Sequence, residues 1–149
     1  MSAFRKCLFL VDHAESALQE GRFPKMDEAE RLLKVFEEDG VHIPYNKETL
    51  RRYCAVGRRF REQEIMEHME LWEMLEARGA LVDSISMLRA VASVCSDSTE
   101  ILFVLKTLFM QQRCEIRKGM KTSYKAGDNR GPNNLIKALL LSRPLATLS

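Results

Sequence analysis

Apolar residues in this chain recur at three- and four-residue intervals in one segment after another, and each segment is closed by glycine, proline or a polar cluster. That period lines side chains up on one face of an α-helix, whereas a half-buried strand needs strict alternation. The first segment, over 3–18, sets Phe4, Cys7, Leu8, Val11, Ala14 and Leu18 on one face, and Gly21 and Pro24 then interrupt it. A second runs over 27–39, with Ala29, Leu32, Leu33 and Phe36 turned inward and Gly40 as its terminator. Asp27, Glu28 and Glu30 stand at its start, where unpaired backbone amides favour negative charge. Asn46 is placed to cap a short third helix carrying Thr49, Leu50, Tyr53 and Val56, which Gly57 interrupts or ends.

The fourth segment, over 62–78, has the plainest pattern: Ile65, Met66, Met69, Trp72 and Leu75 form a stripe, with Glu62, Glu64, Glu67, Glu70, Glu73 and Glu76 on the positions left to solvent. Gly79 stops it, and Asp83 or Ser84 caps a fifth helix with Met87, Leu88, Val91 and Val94 on its face. A polar break over 95–99, with Ser98 as the cap, leads to a sixth helix opened by Glu100 and carrying Ile101, Leu102, Leu105, Leu108 and Phe109. No alternating segment survives this partition, so the expected fold is all-α, a compact bundle of about six helices over 1–112. With 149 residues a single domain is expected.

Residues 113–149 differ in kind. They hold eight Lys or Arg against two acids, leaving fifteen basic and nineteen acidic residues in the rest of the chain, so a mildly acidic body carries a basic tail. Gly119, Gly127 and Gly131 among Lys, Ser, Asn and Asp read as a linker, and Asn133 is placed to cap a short last helix over 134–141 before Pro144.

The constellations that chemistry requires do not occur. Cys7, Cys54, Cys95 and Cys114 are scattered singly, without the close pairs of a disulfide framework or zinc site, and read as reduced thiols. His13, His42 and His68 lie in different segments and form no paired metal motif, so no metal is expected. No nucleophile elbow and no phosphate-binding glycine loop with Lys-Ser/Thr is present, so neither catalysis nor a cofactor is expected. No apolar run reaches the length of a membrane span, and the short apolar start is cut by Asp12. The expected location is the cytoplasm or nucleus.

What remains is surface. Arg51, Arg52, Arg58, Arg59 and Arg61 make a basic cluster shortly before the acidic face that includes Glu67, Glu70 and Glu73. Opposed patches of this sort steer encounter and fix register, which favours a complementary protein partner or head-to-tail self-association into a homo-oligomer. The same arginines with the basic tail give the alternative, a nucleic-acid-associated helical protein that tracks phosphates. An obligate dimer that completes the apolar faces is a third reading. Met66, Met69, Met74 and Met87 at helical spacing read as core packing, with an adaptable binding groove as the competing assignment.

The stretch over 71–102, LWEMLEARGALVDSISMLRAVASVCSDSTEIL, resembles the death effector domain of the death-fold superfamily. Leu71 and Trp72 fall where that family opens its fourth helix with a bulky pair. Leu81 falls at the turn that follows, Leu88 and Arg89 on the next helix, and Glu100, Ile101 and Leu102 at the start of the sixth. The resemblance implies an adaptor or decoy that assembles by homotypic contacts in apoptosis or innate-immune signalling, with Glu28, Glu30 and Glu100 in one interaction surface. Ser98 stands where the family's charge motif has a basic residue, which implies a module that caps an assembly instead of extending it.

Overall fold

The computed structural model describes residues 2–61, 63–79, 81, 84–111 and 131–143. Among them are seven helices and no strand, the all-α architecture that the periodicity predicts. The chain divides into two compact units, Met1–Glu62 and Gln63–Ser149.

In the first unit α1 (Ala3–Gln19), α2 (Glu28–Glu38) and α3 (Lys47–Arg61) each pack on the other two. Ser2 caps α1 by accepting from the Arg5 amide, and Asp27 caps α2 by accepting from the Glu30 amide. At the end of α2, Gly40 turns left-handed at φ +70°, so that its amide donates to Glu37 and that of Val41 to Phe36, satisfying two carbonyls the helix leaves open. Phe4, Cys7, Leu10, Val11, Ala14 and Ala17 of α1 are buried. Leu10 and Ala17 take the inward places expected of Leu8 and Leu18, and Leu18 is exposed, because two helices cover α1 and the face they cover is wider than one stripe.

Gly57 does not end the third helix. It lies inside α3 at the crossing with α1, where a Cβ would stand 2.5 Å from the Cys7 carbonyl oxygen and 2.6 Å from a Val11 methyl. The missing side chain lets two backbones approach, and one turn further on the Phe4 and Phe60 rings meet at 4.9 Å.

Arg31 is buried on α2 and binds no carboxylate among the described residues. Its guanidinium donates to the Phe23 and Met26 carbonyl oxygens at 3.4 and 2.8 Å, holding the connection from α1 in which Phe23 adopts φ +49°. A bulky residue in the left-handed region is strained, and the buried arginine supplies contacts that keep it there.

The second unit holds α4 (Ile65–Ala77), α5 (Ser84–Val94), α6 (Ser98–Met110) and α7 (Gly131–Leu141). α4 packs along α6, and α7 lies against α5 and α6 with Leu135, Ile136 and Leu139 buried, so the last helix docks on its unit. It begins at Gly131, three residues before the expected start. Trp72, Leu75, Met87, Leu88, Val91, Ile101, Leu105 and Leu108 fill the interior. The cap of α6 is Asp97, which accepts from the Glu100 amide at 2.9 Å, and not Ser98, which is already helical. Of the linker expected over 118–132, Gly131 and Pro132 belong instead to the first turn of α7, and the remainder lies outside the described residues.

Candidate interaction surfaces

α3 continues unbroken to Arg61, and this continuity decides where its arginines go. Arg51 and Arg58 are seven residues apart and share a face, with Arg61 one turn beyond. Arg58 grips Glu28 bidentately, Nε and Nη2 donating at 2.9 and 2.6 Å, and approaches Glu15 at 3.6 Å. Arg61 pairs with Glu15 and lies 3.8 Å from Asp12. Arg51 donates to Asp27 and Glu48, both at 2.8 Å, and Lys47 pairs with Glu30. The basic edge of α3 is thereby clamped to acids of α1 and α2. Asp27, which accepts from the Glu30 amide and from Arg51, is held below the usual carboxylate range. Of the cluster, Arg52 is exposed and makes no ion pair among the described residues, while Arg59 is half-buried.

These pairs sit at the surface, so each contributes little alone. A double-mutant cycle with Arg58→Met and Glu28→Gln is expected to give a coupling of about 1 kcal/mol at low salt, because the pair is bidentate and Glu28 is largely covered. The coupling should shrink in high salt. Urea denaturation at two ionic strengths reads it directly.

Glu100 is equally committed within its own unit. It accepts from the Ser96 amide at 2.7 Å and from Arg143 at 3.0 Å, and these donors hold its carboxyl below the ordinary value. The ion pair ties the end of α7 to the start of α6. At the other end of α6, Arg78 donates to the Phe109 and Gln111 carbonyl oxygens and lies 4.8 Å above the Phe109 ring, so it closes the carbonyl end of one helix from the tip of another.

Beside Glu100, the Ser98 hydroxyl lies 3.1 Å from Nε2 of His68, which is fully buried in α4. Burial penalises the imidazolium and lowers the His68 pKa, against the opposing pull of a hydrogen bond to the Ser98 backbone and of Glu67 and Glu64. With the folded value below the unfolded one, the unfolded chain binds more protons as pH falls. The resulting stability is complete above about pH 6.5 and is lost as pH falls through the unfolded and then the folded value. Thermal melts from neutral to mildly acid pH should show this loss, and His68→Gln should flatten it.

The outward face of α4 is composed differently. The four methionines split: Met69 and Met87 are buried, whereas Met66 is 64% and Met74 46% exposed. Met66, Glu70 and Met74 follow one another at four-residue steps and so form one row along the helix. Glu70 is exposed and makes no ion pair among the described residues. Glu67 pairs with Lys106 at 3.3 Å, Glu73 is half-buried, and Glu76 accepts from the Trp72 indole at 2.7 Å.

Cys7 and Cys54 are buried, and desolvation pushes both thiols up to about 12, which leaves them protonated and poorly nucleophilic. Cys95 is likewise buried. Among the described residues no three His, Cys, Asp or Glu converge as metal ligands, and no helix is long and apolar enough to cross a membrane. No family model, curated protein or solved structure matches the chain.

Among the charged residues marked in the sequence, Asp27, Glu28, Glu30, Arg51, Arg58, Arg61, Glu67 and Glu100 pair within their own unit. The buried Arg31 and the bridging Arg78 and Arg143 were not marked. Arg31 had a legible signal, since it lies four residues before Val35 on the apolar face of α2. Arg78 and Arg143 had none, because their partners come from other helices.

Proposed function

We propose that this chain is a non-catalytic protein-interaction module, an adaptor or decoy, that meets its partner through the outward face of α4. The observation that carries the reading is the exposure of Met66 and Met74 on either side of an exposed Glu70. Two thioether side chains on one row, left in water by a helix that buries Trp72 and Leu75 opposite, offer apolar area and a shape that adapts to what covers it. The likeness of 71–102 to death effector domains points to death-fold proteins of apoptosis or innate-immune signalling as partners, and reduced thiols suit a cytoplasmic setting.

The nucleic-acid alternative has less to stand on. Arg51, Arg58 and Arg61 already hold carboxylates of their own unit, which leaves a small phosphate footprint on α3. The same pairing weakens self-association through those arginines.

Size-exclusion chromatography with light scattering, run on mixtures with death-fold domains, tests the proposal. A complex is expected that survives moderate salt and is lost in the Met66→Ser/Met74→Ser variant. A chain that stays unbound with every such domain, while binding RNA or DNA with an affinity that falls steeply with log salt, would overturn it.

A further inference from the structure

We infer that the α4 face takes a basic amphipathic helix of a separate protein, an inference that rests on the interaction-module reading and names the chemistry of the partner. The row Met66, Glu70, Met74 reads apolar, acidic, apolar, with its ends about 12 Å apart at 1.5 Å per residue. Glu64 and Ala77 continue exposed positions at its two ends. Met110, 81% exposed, lies between the two residues whose carbonyls Arg78 holds, and so adds apolar area near the C-terminal end of α4.

A complementary ligand must offer two apolar anchors about two turns apart and a cation between them to meet Glu70. An amphipathic helix with Leu-like residues at i and i+7 and a Lys or Arg between meets those terms, the apolar contacts giving affinity and the charge fixing register. The other occupants fit worse. An anionic bilayer or a nucleic acid brings charge of the same sign as Glu64, Glu67 and Glu70. A second copy would bring the basic edge of α3, and three of its arginines, Arg51, Arg58 and Arg61, are held by Asp27, Glu28 and Glu15, which leaves less charge there to meet Glu70.

The probe is a fluorescein-labelled helical peptide of about 18 residues, five turns, with Leu at i, i+7 and i+14 and Lys at the positions between them on the same face. Its counterpart carries Glu in place of every Lys. Fluorescence anisotropy with the full chain is expected to show the Lys peptide bound at least about tenfold more tightly than the Glu peptide. Met66→Ser/Met74→Ser should weaken the Lys peptide by about tenfold or more, and Glu70→Lys should weaken it while strengthening the Glu peptide. All three positions are exposed, so circular dichroism should show these variants folded. Equal binding of both peptides, or Lys-peptide binding indifferent to the three substitutions, overturns the inference. If neither peptide binds while a death-fold domain still forms a Met66- and Met74-dependent complex, the inference falls and the module reading stands; if the Lys peptide binds as described and no death-fold domain does, the inference stands and the death-fold assignment of the partner falls.

Discussion

Gly57→Ala is expected to destabilise the unit of α1, α2 and α3 by about 2–3 kcal/mol, although alanine is the better helix former. In an exposed helix interior the change would gain about 1 kcal/mol. Here the added methyl would stand 2.5 Å from the Cys7 carbonyl oxygen, 2.9 Å from its carbon and 2.6 Å from a Val11 methyl. A side chain can rotate away, but a backbone carbonyl within α1 retreats only if the helix moves. Moving α1 would loosen its packing on α2 and α3 together, including the Phe4 and Phe60 contact. Urea denaturation followed by far-ultraviolet circular dichroism measures the loss. A midpoint that rose would show that α1 and α3 do not cross at this residue. Ala55→Gly, at an exposed position of the same helix, supplies the comparison and should cost about 1 kcal/mol from propensity alone.

Trp72→Ala should cost the second unit about 3–5 kcal/mol. Trp72 heads the largest fully buried side chains, and its indole donates to Glu76, so truncation leaves a cavity between α4 and α6 and removes a hydrogen bond. Trp72→Phe, which keeps an aromatic ring in the space, should lose less. The pair also separates stability from binding. Trp72→Ala should abolish partner capture by loosening the helix that presents the surface, with a matching loss in the denaturation midpoint. Met66→Ser/Met74→Ser should abolish capture with the midpoint nearly unchanged, since both side chains are exposed.

Legibility followed the range of the physics involved. Helix existence and most boundaries depend on neighbours in sequence: the period of the apolar residues, the caps Asp27 and Asn46, the left-handed glycine after α2. Gly57 departs from its local reading for the same reason. Read locally it weakens a helix, and only the presence of α1 against it turns a weak point into a close contact. The methionines show the converse. Met66 and Met69 are near neighbours on the fourth stripe, yet one is exposed and one buried, because among the described residues α4 packs mainly on α6, and the apolar stripe is wider than the face that α6 covers.

Charge was the least legible quantity. Arg51 to Arg61 and the acids of α1 and α2 are both plain in the sequence, but whether they face solvent or each other depends on the pairing of helices tens of residues apart. Arg58 to Glu28 spans thirty positions and Arg143 to Glu100 forty-three. The sequence by itself determined that this chain forms helices, roughly where each starts and stops, and which residue types lie in the cores, because those properties arise from contacts within a few turns. Only the tertiary structure decided that the basic edge of α3 is spent holding its own unit together and that Met66, Glu70 and Met74 are left facing water. Burial and ion pairing are properties of which helices meet, and no local pattern records that.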